Sequence, residues 1–350
     1  MALRTEFHAL TVAAVDELTD DSAAVTFTVP AELIDTFAFS PGQSLTLRVG
    51  EERRSYSICS PVGQAPRIGV REVAGGAVSG WLVHEVRTGD TVEVQAPAGT
   101  FTPDLLAGGD HVLIAAGSGI TPILSIAASV LAANDTATVT LLYGNRRTES
   151  VMFADDVADL KDAHPVRMRI VHVLSREPQE VELFSGRLDT TKLRALLPAT
   201  VDVDGVDHWW LCGPFGMLTD AIEVLTELGV ESSRIHRELF YVGDDPPAQT
   251  RHEDAPTGPG SEVTVVLDGR SSTVTVPPDV AVLDGAQKVR PDLPFACKGG
   301  VCGTCRALVT HGKVRMRRNY ALEQTELDAG YVLTCQALPI TDSVRIDYDS

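Results

Sequence analysis

Four cysteines near the end of the chain have a spacing that can do chemistry. Cys297-Lys-Gly-Gly-Val-Cys302-Gly-Thr-Cys305 is followed, after a 29-residue gap, by Cys335. C-x4-C-x2-C with a distant fourth cysteine is the plant-type arrangement that holds a [2Fe–2S] cluster on four thiolates. Gly299, Gly300 and Gly303 interleave the first three ligands, so backbone N–H groups can approach sulfur where a Cβ would intrude. A structural zinc site is the competing reading, but zinc sites usually pair their cysteines at short spacing in two groups. Cys297, Cys302, Cys305 and Cys335 are therefore assigned to iron, and Cys59 and Cys212 are left outside the ligand set. Such a cluster carries one electron at a time, so the chain is expected to move electrons for something else.

The remaining residues must position that cluster and supply its electrons. At 350 residues the chain can hold two or three domains, each with its own core. Its formal net charge of −19 argues against nucleic acid or an anionic membrane as the main partner. The charge is uneven: residues 261–350 carry ten Lys/Arg against eleven Asp/Glu, about −1, which leaves −18 for residues 1–260. A basic run, Lys313, Arg315, Arg317 and Arg318, lies in that near-neutral tail. A solvated hairpin face is the plainer reading of it and a docking patch for an acidic partner the sharper one. No stretch approaches the roughly 18 apolar residues of a membrane span. The opening Met-Ala-Leu-Arg-Thr-Glu-Phe holds no apolar signal core. A cytoplasmic location is expected, where clustered cysteines favour metal over disulfides.

Residues 1–105 read as short strands with turn punctuation. Residues 25–29, 44–49, 67–71 and 91–95 alternate or are β-branched, and Pro41-Gly42, Gly75-Gly76 and Gly89-Asp90 separate them. This pattern predicts a small antiparallel barrel, with one helix around 79–86. Residues 110–240 change character. Continuous apolar strands at 111–116, 138–143, 167–173 and 208–212 alternate with helices predicted at 122–133, 151–161, 190–197 and 215–228, which argues a doubly wound parallel sheet. Residues 241–260 are dominated by proline, glycine and charge and read as a linker.

Within that frame several short segments could hold a flavin and a nicotinamide nucleotide. Arg53-Arg54-Ser55-Tyr56-Ser57 offers a guanidinium for a pyrophosphate and a ring for stacking. Gly75-Gly76-Ala77-Val78-Ser79 makes a small-residue helix start that can accept phosphate. Gly117-Ser118-Gly119-Ile120-Thr121-Pro122 stands where a strand should hand over to a helix. Gly144-Asn145-Arg146 and Cys212-Gly213-Pro214 fall at the C-terminal ends of predicted strands, where open α/β sheets bind ligands. Each alone is weak: a turn, an N-cap or a core cysteine explains it as well.

Taken in order over about residues 5–240, these segments resemble the ferredoxin–NADP reductase family. The resemblance implies a barrel that binds FAD and an α/β half that binds NADPH or NADH. It implies that Arg54, Ser55, Tyr56, Ser57, Val70, Gly76, Val78 and Ser79 hold FAD. Gly117, Ser118, Gly119, Ile120, Thr121, Pro122, Gly144, Asn145, Arg146, Gly213, Pro214 and Met217 are implied for the nucleotide. Cys212, Thr121 and Ser57 are expected at the hydride-transfer site. Ser175-Arg176, after the strand at 167–173, resembles the Ser-Arg pair of NADPH-using members and favours NADPH; a surface pair without a ligand is the alternative. Three modules follow, an FAD barrel at 1–106, an NAD(P) domain at 107–242 and, after a linker at 243–260, an α+β, β-grasp-like [2Fe–2S] domain at 261–350.

The tail is similar to a narrower group. Lys313-Val-Arg-Met316, Asn319-Tyr-Ala-Leu-Glu323 and Gly330-Tyr-Val-Leu-Thr-Cys335-Gln336 resemble the reductase subunits of ring-epoxidase complexes that act on phenylacetyl-CoA. Reductases of Rieske-type oxygenases, such as those of 3-ketosteroid 9α-hydroxylases, share the domain order. The sequence contains no Glu-x-x-His of a di-iron site and no Cys-x-His of a Rieske cluster. Substrate oxidation is therefore expected on another polypeptide, a multi-subunit oxygenase or epoxidase in phenylacetate degradation. A scaffold whose cofactor sites have decayed, and direct reduction of a small molecule at the flavin, are the alternatives from other classes.

Overall fold

The structure, a computed structural model, describes residues 6–50, 52–240, 259–322 and 324–350. The expected linker at 243–260 lies outside the described residues up to position 258. The described residues divide into two compact units, one of residues 8–49 and 56–240, the other of residues 6–7, the described part of 50–55 and the residues from 259 onward.

The N-terminal part of the chain forms the strands β1 (Phe7–Thr19), β2 (Ser22–Thr28), β3 (Ser44–Val49), β4 (Glu52–Ser57), β5 (Arg67–Arg71) and β6 (Thr91–Gln95). They form one sheet in the order β4-β3-β6-β1-β2-β5. An antiparallel bridge from Ile58, just past β4, to Ile68 in β5 closes the sheet into a barrel. Alternation sends Leu10, Val25, Phe27, Leu45, Leu47 and Val94 inward to a common core. Three strands have the predicted bounds, and the helix α1 (Ala77–His84) begins two residues earlier than expected.

An α/β layer follows: β7 (Asp110–Ala116), α2 (Ile120–Ala133), β8 (Thr138–Asn145), α3 (Ala154–Ala163), β9 (Met168–Leu174), α4 (Thr190–Thr200), β10 (His208–Gly213), α5 (Phe215–Glu227) and β11 (Ile235–Leu239). The strands are parallel in the order β11-β10-β7-β8-β9. Winding starts at β7, moves out through β8 and β9, then returns to the other side at β10. The C-terminal ends of β7 and β10 thus flank the crevice where such sheets bind ligands. Burial of every residue from His111 to Ala115 explains why β7 reads as an apolar run rather than an alternating one.

Barrel and α/β layer share a core. Ala24, Cys59 and Phe101 pack in one cluster with Ile123, Leu141 and Trp210. Phe101 meets Trp210 edge-on at 5.2 Å. The Ser125 hydroxyl donates to the Ser60 carbonyl at 2.7 Å, and the Val62 N–H donates to the Ser129 hydroxyl at 3.0 Å.

On the same sheet three imidazoles meet. His208 stacks on His111 at 5.0 Å and lies 5.6 Å from His236, which stacks on Trp210 at 4.1 Å. Trp210 Nε1 donates to His111 Nδ1 at 3.2 Å, and Asp110 and Asp207 lie near His111. Burial, then repulsion from His208 and His111, pushes the His236 pKa down to about 4; burial also lowers that of His111. The unfolded chain therefore binds protons that the native state rejects. Their contribution to stability is expected to be full above pH ~6.5 and to be lost as pH drops from there towards 4. Melting temperatures measured across that range should fall more for the native chain than for His236→Gln.

The second unit contains β12 (Ser261–Leu267), β13 (Arg270–Val276), α6 (Val282–Ala286), β14 (Arg306–His311), β15 (Val314–Met316), α7 (Gln324–Asp328), β16 (Tyr331–Leu333), β17 (Ala337–Pro339) and β18 (Ser343–Asp347). Its main sheet runs β13-β12-β18-β14-β16, with β12 and β18 parallel and the other pairs antiparallel. A hairpin, a short helix packed on it and a returning parallel strand make the β-grasp-like arrangement. The small pair β15–β17 stands apart from that sheet. Val263, Val265, Leu283, Leu333 and Ile346 form a separate core that also takes in Cys305 and Cys335. Among the described residues no helix is long and apolar enough to cross a membrane.

Candidate active site and cluster-binding loop

Where β7 ends, Gly117 adopts φ +55°, and a 3-10 turn over Gly117–Gly119 leads into α2. Gly119, expected at the nucleotide, also makes room for a neighbouring strand. A Cβ there would lie 2.2 Å from the Cys212 carbonyl oxygen and 2.5 Å from its carbon. The glycine lets the start of α2 rest on the end of β10, so the crevice has two rigid walls. Thr121 is buried, its hydroxyl donating to the Ser118 carbonyl at 3.0 Å. That bond braces the turn. Ile120 and Pro122 are buried beside it, while Ser118 is half-exposed. Arg71 of β5, which the sequence did not single out, donates to the Ser150 carbonyl at 2.7 Å. Its Nη1 lies 3.2 Å from where a Cβ on Gly117 would stand.

Across the crevice Cys212 is fully buried opposite Glu238 in the register of β10 and β11. Burial, then the nearby Glu238, pushes the Cys212 thiol pKa well up, so it is a neutral thiol. Ser57 at the end of β4 is buried, and its hydroxyl donates to Glu238 Oε2 at 3.0 Å. Part of the Glu238 side chain reaches the surface, yet loss of water around its carboxyl pushes the pKa up to about 7, with the Ser57 bond pulling the other way. Ser57, Cys212 and Glu238 thus form one polar group, able to hold or give a proton near neutrality. Sequence reading found the first two and missed the third, a lone glutamate in a short edge strand.

The other expected flavin residues fall on β4, β5 and the start of α1. Arg54 pairs with Glu52 at 2.8 Å, and its Nη1 donates to the Arg53 carbonyl at 2.9 Å. Ser55 and Tyr56 are half-buried on the same strand. Val70 and Val78 turn their side chains into the barrel core, which leaves only their backbone for a ligand. No side chain caps α1 at Gly76, and a Cβ on Gly76 would stand 2.8 Å from the Ser79 hydroxyl. Ser79 is buried, accepting from the Val73 N–H and donating to the Gly76 carbonyl, both at 3.1 Å. It shapes the loop, and the uncapped backbone is what remains to meet phosphate.

At the far end of the crevice the backbone draws two segments together. The Ser175 N–H donates to the Asn145 carbonyl at 2.9 Å and the Arg176 N–H to the Arg146 carbonyl at 2.8 Å. Arg146 and Arg176 are both exposed, and Ser175 is half-exposed between them. Asn145 is buried, with its amide beside the Tyr143 hydroxyl. Gly144 packs against Leu188 and Gly213 against Met217; Pro214 precedes the first turn of α5.

In the second unit the four expected ligands converge as two pairs. Cys297 lies beside Cys302, and Cys305 beside Cys335. Two pairs of thiols are what two irons need, and among the described residues no group of three ligands converges on a single ion. The Gly299 N–H points at Cys297 Sγ at 3.3 Å. Gly300 and Gly303 take φ +83° and +67°, as the tight ligand loop requires. Lys313, Arg315, Arg317 and Arg318 are exposed and in no ion pair among the described residues. They lie beside this loop, since Arg317 Nη2 donates to the Cys335 carbonyl at 3.2 Å.

Three family models match the chain: an oxidoreductase FAD-binding domain over residues 9–102, an oxidoreductase NAD-binding domain over 113–223 and a 2Fe-2S iron-sulfur cluster binding domain over 265–339. The chain is 42% identical over 354 residues to one of the subunits of the 1,2-phenylacetyl-CoA epoxidase of Escherichia coli (strain K12), covering 99% of both. It is 35% identical to the ferredoxin reductase component of the 3-ketosteroid-9-alpha-monooxygenase of Rhodococcus rhodochrous, covering 97% of this chain and 96% of that one. The solved phthalate dioxygenase reductase superposes with a TM-score of 0.60 at 22% identity, covering 97% of this chain and 98% of that one, a likeness of fold.

Proposed function

This chain belongs to the family of NAD(P)H-dependent oxidoreductases that join FAD-binding, NAD-binding and 2Fe-2S domains, and we propose that it serves a partner oxygenase in the cytoplasm. Electrons enter from NADPH and leave singly through the four-cysteine loop. When bound, FAD accepts the two electrons of a hydride and the cluster relays them one at a time. The protein supplies position and protons. Gly119 and Thr121 fix the turn that meets the nucleotide, Cys212 fills the dry floor beside it, and Ser57 with Glu238 holds a proton near neutral pH.

The acceptor we propose is a multi-subunit ring epoxidase acting on phenylacetyl-CoA. The observation that carries this is the 42% identity to the Escherichia coli protein along essentially the whole of both chains. The 35% identity to the ketosteroid monooxygenase component favours a Rieske-type oxygenase as the second reading. The test is oxidation of NADPH with each oxygenase component and its substrate. Epoxide formed from phenylacetyl-CoA, with no ketosteroid hydroxylation, supports the first reading; the reverse result removes it.

We propose NADPH over NADH because backbone bonds bring Arg146 beside Ser175 and Arg176, and both arginines are exposed and in no ion pair among the described residues, a cationic surface suited to a 2′-phosphate. Replacing both arginines by alanine should lower kcat/KM for NADPH by roughly 10- to 100-fold, as loss of charge-assisted hydrogen bonds does. The value for NADH should stay within about twofold, since the adenosine ribose lacks the charge those arginines meet. Equal losses with both nucleotides would return the pair to the plain surface.

A further inference from the structure

Gln336 follows the fourth cysteine and is 5% exposed. Its Nε2 donates to the Lys298 carbonyl at 2.8 Å and lies 3.6 Å from Cys335 Sγ. Its stem packs on the ligand loop: a Cβ on Gly300 would stand 3.0 Å from Gln336 Cγ. Lys298 itself is held in the left-handed region, φ +51°, which a side chain seldom adopts. Its Nζ pairs with Asp284 at 2.7 Å in a largely buried contact and sits 4.9 Å over the Phe295 ring. The loop bearing Cys297 and Cys302 is thus pinned to α6 on one side and, through one amide, to the strand end bearing Cys335 on the other.

We propose that Gln336 is a positioning residue that tunes the cluster, its amide acting as a dedicated donor to the Cys335 thiolate while latching the ligand loop. Reduction adds negative charge to the cluster and its sulfurs. A donor aimed at sulfur stabilises that charge and raises the potential. Backbone donors such as Gly299 N–H come with the loop, and the Thr304 hydroxyl near Cys302 is half-exposed. Gln336 is the buried side-chain donor, so it is a point where sequence alone can set the potential. This inference rests on the cluster-binding assignment and is independent of which oxygenase is served.

The test uses the full chain with its cofactors. Gln336→Met keeps length and bulk and removes the donor. Its cluster midpoint potential, followed by redox titration, should move negative by about tenfold in the reduction equilibrium, about 59 mV for one electron. The g-values of the reduced cluster should shift with it. A purely structural Gln336 would lower the melting temperature and leave potential and g-values at their native values, which overturns the proposal. A second measurement needs no variant. The native chain is labelled with glutamine carrying 15N in its side-chain amide, and hyperfine spectra are recorded on the reduced cluster. A resolved 15N coupling supports the assignment. Its absence overturns it, even if Gln336→Met fails to assemble the cluster.

Discussion

Cys302→Ala is expected to abolish oxygenase-supported turnover while NADPH oxidation by ferricyanide largely survives. Cys302 lies beside Cys297 and so belongs to one of the two thiol pairs. Without it one iron loses half of its protein ligands. Loss of outer partners alone costs metal sites 10- to 100-fold, so loss of a ligand should exceed ~100-fold in turnover with the oxygenase. Ferricyanide can take electrons at the first unit, whose core is separate from that of the cysteine loop. The measurements are the two rates, with the visible spectrum as a check that cluster absorbance has gone. Product formation persisting at the native rate would mean that electrons leave directly from the flavin, and the reading of the cysteines as the exit would fail. The same loss should appear in the unfolding of the second unit, where Cys305 and Cys335 are part of the core and metal binding contributes folding free energy.

Gly119→Ala is the other large effect. The new methyl would meet backbone, not a yielding side chain: the Cys212 carbonyl oxygen at 2.2 Å and the Gly213 nitrogen at 2.9 Å. The backbone at Gly119, φ −61° and ψ −9°, suits alanine, so the whole cost is steric. Relief requires the start of α2 to move away from β10 by about 1 Å, a displacement that can cost 10²-fold in a positioned reaction. Flavin reduction by NADPH, followed by stopped flow, should slow by about that factor. Overpacking of this kind should also cost ~1–3 kcal/mol of stability in thermal unfolding. Gly216→Ala is the control. Nothing lies within 4 Å of its would-be Cβ, and it is in the first turn of α5, so the variant should be neutral or slightly more stable. A Gly119→Ala enzyme with native hydride-transfer kinetics would show that the contact between turn and strand does not position the nucleotide.

These two glycines show what the sequence could and could not tell. Gly117 and Gly119 look alike in the motif, and both are expected at the nucleotide. Only the pairing of β10 beside β7 reveals that Gly119 makes room for protein. The parallel strands were legible because burial on both faces leaves continuous apolar runs, as in residues 111–115. β1 was missed because its register shifts between Val12 and Ala14, and again between Glu17 and Thr19, break the alternation that marks a strand. β11 was missed because an edge strand reading Ile-His-Arg-Glu-Leu is half-exposed and polar. With it went Glu238, whose partner Ser57 is 181 residues away in the chain. The four cysteines stand out in the sequence because metal ligation would fix both residue type and spacing. The second role of Gln336 was not, since it depends on a carbonyl 38 positions earlier.

The stitched seam between barrel and α/β layer has a consequence for motion. Ser125 and Ser129 of α2 tie down the loop at residues 60–62, and Phe101 and Cys59 sit in the same core as Trp210. Two halves joined in this way cannot hinge open about a linker as many two-domain enzymes do. If the nicotinamide binds beside Ser57 and Cys212 as proposed, it would be admitted by side chains and short loops, on their faster timescale. Hydride transfer should therefore show little dependence on solvent viscosity, and any slow gating in the full catalytic cycle belongs to the steps after the flavin.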